Sequence, residues 1–386
     1  MHFRYLLSDP HGDIELTPED LEQPFLISPD ERHSFLTLAD YFGALQSFIL
    51  SGDGNVLRKA FQKKRLSKDI SLSDFTDILI RSEKHGAFYH IASVEIIGSV
   101  ENNKFAVTTA LSESAKESLA EEFVILQQLN DMSGDFLPEI YCQETVDWKT
   151  PSGSEKFLMV LAEWLDGYHE WHVSEDPETG VRKINLWDYE NGYRLLSDAE
   201  SFELLRQAAF ILTYYYDQSS FCQIYPWHHG AGDFVVKEED GALSVKLITA
   251  RQYEPLVHFD QPEETDRLIA TIHFLLNLVL RMRLDRIDGV AEPAWLGTFA
   301  ILAAVDGFFG GLVATQDSDR LKIGPATEFL EIMQSFDTQE IYDMYASLLE
   351  IYAEEDQDDF RLIEDKLADH AVELQEVLQG FSLKVS

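Results

Sequence analysis

The spacing of apolar positions changes along this chain, and each spacing predicts a different kind of element. Between about residues 114 and 130, Ala115, Leu119, Phe123, Leu126 and Leu129 recur at three and four residues, which puts them on one face of a helix. Glu122 stands three after Leu119 and four before Leu126, on or beside that buried face, where a carboxylate needs a partner. Before this helix the pattern is that of strands. Tyr89 to Val100 is rich in Ile, Val and Tyr, Glu101-Asn102-Asn103-Lys104 makes a turn, and Phe105-Ala106-Val107-Thr108-Thr109 continues, so a hairpin is predicted. After the helix come two more strands, around Leu137 to Thr145 and Phe157 to Trp164, closed by Leu165-Asp166-Gly167. A further strand pair, Phe234 to Lys237 and Leu243 to Thr249, flanks the turn Glu238-Glu239-Asp240-Gly241.

Residues 1 to about 80 read as helices and loops. Thr17-Pro18-Glu19-Asp20 and Ser28-Pro29-Asp30-Glu31 each set a capping residue before proline and acids, a helix-start signature. Leu36, Leu38, Tyr41, Leu45, Phe48 and Ile49 then suit one helical face. Beyond Gly167 the chain reads as largely helical, with four or more helices from Glu263 onward and Glu354 to Asp359 as an acidic linker. Ala294 to Thr315 is the most apolar stretch, but Asp306, Gly307, Gly310 and Gly311 interrupt it. It predicts two buried helical pieces joined at Asp306-Gly307 and no membrane span, which needs about 20 apolar residues with few or no charges. The expected division is residues 1–80 as an N-terminal helical extension, 81–165 as a small β-rich lobe and 166–386 as a large helical lobe.

Charge narrows the partners. Lys and Arg number 30 against 69 Asp and Glu, a net charge of -39 in 386 residues. Such a surface repels nucleic acid and anionic membrane. It leaves room for a nucleotide pocket, because the Debye length is about 8 Å at physiological salt. The basic stretch from Arg58 to Lys68 reads as a solvated helix face, or as a partner for acids elsewhere. Cys142 and Cys222 make neither a disulfide framework nor a four-ligand zinc site. With no apolar leader after Met1, a reducing, cytoplasmic setting is expected.

The order of elements, a small β-rich part with one helix followed by a larger helical part, resembles the protein-kinase-like fold, including its relatives that phosphorylate small molecules. The resemblance covers about residues 85 to 310. It implies an α+β, two-lobed protein-kinase-like fold, with a small β-rich N-lobe, a larger mostly helical C-lobe and extra N-terminal helices. Lys84-His85-Gly86-Ala87-Phe88 holds one glycine where the family has a glycine-rich hairpin over ATP. Thr108 falls at the phosphate-gripping lysine, and Glu122 matches the glutamate that pairs with that lysine. Tyr225 to Asp233 resembles the catalytic loop, with His228 at the catalytic aspartate and Asp233 at the asparagine five residues on. Thr249 falls at the metal-binding aspartate.

The lysine and both aspartates of the family pattern are therefore replaced. Phosphoryl transfer depends on positioning and on cations that neutralise developing charge, so the expected role is a non-catalytic, pseudokinase-type binding or scaffold protein. No cofactor is expected, and the partner is an unnamed protein or small-molecule ligand in the groove between the lobes. The alternative is an atypical ATP- and Mg-dependent phosphotransferase. It would use Asp233 for the metal, His228 as the base, and Lys104, Glu122, Lys246 and Arg251 as nucleotide-binding groups. A second alternative is a metal-dependent hydrolase built on His169-Glu170-Trp171-His172 and His228-His229, the first pair spaced for one face of a helical turn. Against it stands the plainer expectation that these histidines cap loops and stack on Trp171 and Trp227. A Cys222–His228 nucleophile pair is the remaining constellation.

Overall fold

The computed structural model describes residues 1–9, 12–28, 31–63, 75–85, 88–98, 102–188, 191–227, 232–259, 263–316 and 323–383. The chain is α+β and divides into two compact units, Met1–Asp166 and Gly167–Ser386. The division falls where the sequence places its crossing from strands to helices.

In chain order the first unit contains β1 (His2–Leu7), β2 (Ile14–Glu15), α1 (Pro18–Leu21), β3 (Pro24–Ser28), β4 (Glu31–Thr37), α2 (Leu38–Lys63), β5 (Phe75–His85) and β6 (His90–Gly98). It continues with β7 (Asn103–Ala110), α3 (Glu113–Met132), β8 (Ile140–Thr150) and β9 (Gly153–Glu163). Seven strands form one mixed sheet in the order β2-β1-β5-β6-β7-β9-β8. Only the β1–β5 pairing is parallel, and β5 through β9 make antiparallel neighbours.

The two long helices among this unit's described residues, α2 and α3, pack on its strands. The α2 residues Tyr41, Phe42, Leu45, Phe48, Leu57 and Phe61 share a core with Ile78, Ile80, Val94, Phe105, Val107, Met159 and Leu161 from the sheet. Alternation along β7 puts Phe105 and Val107 into that core and turns Lys104, Ala106 and Thr108 to the other face. Each large apolar side chain buried this way is worth about 1.5–3 kcal/mol. Helix α3 begins at Ser112, whose hydroxyl accepts from the amide of Ala115, and buries Ala115, Leu119, Glu122, Leu126 and Leu129.

The first 80 residues are thus not a helical extension. They supply β1 and β2 to the sheet, a separate β3–β4 hairpin, and α2 to its core. Thr17 does cap a helix, in a full capping box with Asp20. At the second expected start, β3 ends at Ser28 and β4 begins at Glu31; Pro29 and Asp30 lie outside the described residues. Ser, Pro and Asp also favour turns, so the same residue types carry both signals. The real start of α2 is signalled by Thr37 and Asp40: the amide of Thr37 donates to Oδ2 of Asp40 at 2.8 Å, and the amide of Asp40 donates to Oγ1 of Thr37 at 3.3 Å. From the basic stretch, Lys59 and Lys63 pair with Glu144 and Glu139; Lys64, Arg65 and Lys68 lie outside the described residues.

The second unit opens with a three-stranded antiparallel sheet absent from the sequence reading: β10 (Glu170–Glu175), β11 (Arg182–Asp188) and β12 (Gly192–Leu195). Then come α4 (Asp198–Tyr214), β13 (Cys222–Ile224), the hairpin β14 (Phe234–Glu239) and β15 (Ala242–Leu247), and β16 (Tyr253–Pro255), which pairs with β13. Next follow α5 (Glu264–Arg281), β17 (Leu284–Arg286), β18 (Pro293–Trp295), α6 (Thr298–Thr315), α7 (Ala326–Ser335), α8 (Thr338–Met344), α9 (Ala346–Glu354) and α10 (Gln357–Gly380).

The apolar stretch forms one continuous helix, α6, and not two pieces. By length and composition it is the one candidate membrane span among the described residues, and it is mostly buried inside the protein. Its glycines serve packing. A Cβ on Gly307 would lie 2.2 Å from the carbonyl oxygen of Arg206, and one on Gly311 would lie 2.7 Å from Cβ of Thr213. The missing side chains let α4 cross α6 at close range.

The acidic linker is also structural. Asp356 caps α10 through the amides of Asp358 and Asp359. Arg286 pairs with Asp356 at 2.9 Å and with Asp359 at 2.8 Å, while Arg281 pairs with Glu355. Deeper in, Arg283 meets Nδ1 of His370 at 3.2 Å and pairs with Glu373. The other ring nitrogen of His370 meets the hydroxyl of Tyr345 at 2.8 Å.

Candidate functional site

The candidate site of the second unit is the entry to the β14–β15 hairpin. Gly232 has φ +70°, in the left-handed region. A Cβ there would lie 3.2 Å from Oε1 of Glu170, so glycine also serves the close approach to β10. The next residue, Asp233, is fully buried. Its carbonyl accepts from the amide of Ile248 at 2.8 Å, which closes the base of the hairpin.

Arg251 lies a few residues past the end of β15 and reaches back to this carboxylate. Its Nη1 donates to Oδ2 of Asp233 at 2.6 Å and its Nη2 donates to Oδ1 at 2.7 Å. This is the bidentate geometry that a guanidinium makes best with a carboxylate. The Arg251 side chain is itself 42% exposed. Thr249 is half-buried between β15 and Arg251, and Lys246 stands opposite Val235 within the hairpin.

Upstream of Gly232, Tyr225 and Trp227 are held in place. Trp227 is buried, and Tyr225 is held through its hydroxyl by Arg281 at 2.6 Å and by Glu355. Burial pushes the Tyr225 phenol up to about 12, so it acts as a neutral hydrogen-bonding group. His228 and His229 lie outside the described residues, and with them the expected base and the Cys222–His228 pair.

His169-Glu170-Trp171-His172 is not a helical turn. It enters strand β10, where neighbours alternate between faces. Glu170 and His172 share one face, while His169 and Trp171 share the other, so the two histidines do not line up as i, i+3 ligands. His169 pairs with Asp188 at 3.8 Å, and the His172 ring rests on Trp187, 4.2 Å between centroids, and not on Trp171. Among the described residues no group of three or more His, Cys, Asp or Glu is arranged to hold a metal.

In the first unit, Lys104 pairs with Glu83 at 3.6 Å and lies 3.8 Å over the ring of Trp164. It is therefore engaged away from Glu122, the residue that the phosphotransferase alternative has orient it. Glu122 is buried on α3, and Thr108 is half-buried on β7.

Sequence reasoning missed Arg281, Glu355 and the β11 residues Asn185 and Trp187, and singled out His172 as a metal ligand. One signal was available for the first two. Arg281, Arg283 and Arg286 are a basic cluster in a very acidic chain, and Glu354 to Asp359 is a run of acids far downstream.

No protein-family model matches the chain, and no curated protein matches it.

Proposed function

We propose that this chain is a kinase-like protein that binds a ligand or partner and does not transfer phosphate. The observation that carries this reading is the Asp233–Arg251 pair. Asp233 is the one carboxylate left where the family resemblance expects metal-holding groups, and both of its oxygens accept from a guanidinium. A magnesium ion needs one or two carboxylates plus substrate phosphates. Here it would have to displace a cation already bound in the best available geometry. Thr249 in place of the second carboxylate, and Lys104 engaged by Glu83 and Trp164, act in the same direction.

The order of elements supports the kinase-like part of the reading. A hairpin, a third strand, a helix and two more strands are followed, after the interposed β10–β12 sheet, by a helix, a short strand and a second hairpin with Asp233 at its entry. Apart from that interposed sheet, this is the order the resemblance implies. Two free thiols suit a reducing, cytoplasmic setting, and the net charge of -39 favours partners other than nucleic acid.

A thermal-shift titration with ATP and Mg²⁺ tests the reading. The expected result is no saturable shift, for the wild type and for Asp233→Ala alike. A saturable rise in Tm that disappears in Asp233→Ala would establish the phosphotransferase alternative instead.

A further inference from the structure

Strand β8 ends the seven-stranded sheet, with β9 as its one strand neighbour among the described residues. It runs for 11 residues, about twice the common strand length. The two strands meet in the two-residue turn Pro151-Ser152, which makes Thr150 and Gly153 the closing hydrogen-bonded pair. The register is unbroken from Cys142 to Thr150, and bonded and non-bonded pairs alternate along an antiparallel ladder. Gln143, Thr145, Asp147 and Lys149 therefore turn their N–H and C=O groups away from β9. Thr145, Asp147 and Lys149 are exposed. Among the described residues, no side chain or backbone group hydrogen-bonds to this outward row. Only the start of the strand is closed off, where Nζ of Lys63 donates to the carbonyl of Ile140 at 2.8 Å. A row of unpaired peptide groups is a template for a further strand.

The side chains beside this row form a groove. Cys142 and Val146 point into the core shared with α2, so Gln143 and Thr145 lie on the opposite face. There they line a groove of about 340 Å³ with Leu158 of β9 and with Glu113, Glu117 and Ala120 of α3. The two lysines of the groove are already neutralised. Lys116 pairs with Glu113 at 2.9 Å and with Glu155 at 3.6 Å, and Lys156 pairs with Asp147 at 4.0 Å. Glu117 has no cation partner among the described residues. The groove thus holds more negative charge than its own cations offset.

We propose that the β8 edge receives an extended segment of a partner protein with lysine or arginine at every second position. The backbone of that segment would pair with Gln143 to Lys149, and its cationic side chains, on the α3 side, would meet Glu117 and Asp147. The net charge of -39 attracts such a segment and opposes the pairing of β8 with β8 of a second copy. Nothing here depends on the kinase-like reading, because only the sheet edge of the first unit is involved.

Anisotropy titration of the full chain against a fluorescein-labelled octapeptide of alternating lysine and valine, at physiological salt, tests it. Saturable one-to-one binding is expected. The lysine N–H groups would face β8 and the valine N–H groups would face away. N-methylation of the lysines should therefore weaken binding at least about tenfold, and N-methylation of the valines should leave it within about twofold. Glu117→Lys should also weaken binding at least about tenfold, while Glu364→Lys, the same charge change on an exposed residue of the other unit, should leave it unchanged. Thr145→Pro removes one outward N–H, which an edge strand tolerates, and should weaken binding with little change in Tm. The proposal is overturned if the peptide does not saturate, if the two N-methylated peptides bind alike, or if Glu364→Lys weakens binding as much as Glu117→Lys, the mark of general attraction to an acidic chain. A concentration-dependent dimer in sedimentation that Thr145→Pro dissolves would give the edge to a second copy and overturn it too.

Discussion

Arg251 grips Asp233 with two parallel hydrogen bonds of 2.6 and 2.7 Å, joining residues 18 apart across the entry to the β14–β15 hairpin. The carboxylate is fully buried while the guanidinium reaches solvent. The two partners should therefore respond unequally to mutation. Arg251→Leu takes the bidentate guanidinium from a buried carboxylate and should cost about 2–4 kcal/mol, toward the lower end for a buried charge because the pair is half open to water. Asp233→Asn lets Arg251 turn to solvent and should cost less. Urea denaturation midpoints of the two variants check the order.

Gly307 and Gly310 lie on the same helix but meet different neighbours. A Cβ at Gly307 would strike backbone, 2.2 Å from the carbonyl oxygen of Arg206, while one at Gly310 would meet only the Phe210 ring at 3.3 Å. Gly307→Ala should destabilise by about 2–4 kcal/mol, because α4 must move off α6. Gly310→Ala should cost less than about 1 kcal/mol, offset in part by the better helix propensity of alanine. Thermal melts of the two variants give the comparison directly.

These glycines also show where the sequence stops being legible. Read along the chain, Asp306-Gly307 is a helix breaker; only the crossing of α4 reveals it as a packing contact. The β6–β7, β8–β9 and β14–β15 strand pairs and α3 were readable because their periodicity is local. The strands β1 to β4 were not, because they are short and Ser28-Pro29-Asp30 imitates a helix start. At the candidate site Asp233 and Arg251 were each singled out, for metal and for nucleotide. Their pairing with each other was hidden, since it depends on how the hairpin folds back. The β10–β12 face was hidden further, because His169 and His172 at i, i+3 look like one helical face until the backbone is known to be extended.

His370 makes stability depend on pH. Burial first, and the nearby Arg283 second, depress its pKa to about 3. The unfolded chain binds this proton near pH 6.5 while the native protein stays neutral there. Stability should therefore fall as pH drops from about 6.5 toward 3, by a few kcal/mol for this group. Chemical denaturation of wild type and His370→Gln across that window checks the sign: the wild type should show the steeper loss.

Glu355 and Arg281 fasten the hydroxyl of Tyr225, which lies eight residues before Asp233. Glu355→Gln weakens that anchor beside a guanidinium that is almost fully buried, at a cost of about 1–3 kcal/mol. The amides of Ile224 and Trp227 should then exchange faster with deuterium than in Asp358→Asn, which removes a more exposed charge nearby.

The central proposal is that this chain carries no phosphoryl-transfer chemistry. Titrating the purified full chain with ATP and Mg²⁺ in a calorimeter, with phosphate release followed in the same sample, tests it most directly. The account predicts neither a stoichiometric heat nor phosphate turnover above buffer. A tight one-to-one signal with turnover that Asp233→Ala abolishes would contradict it.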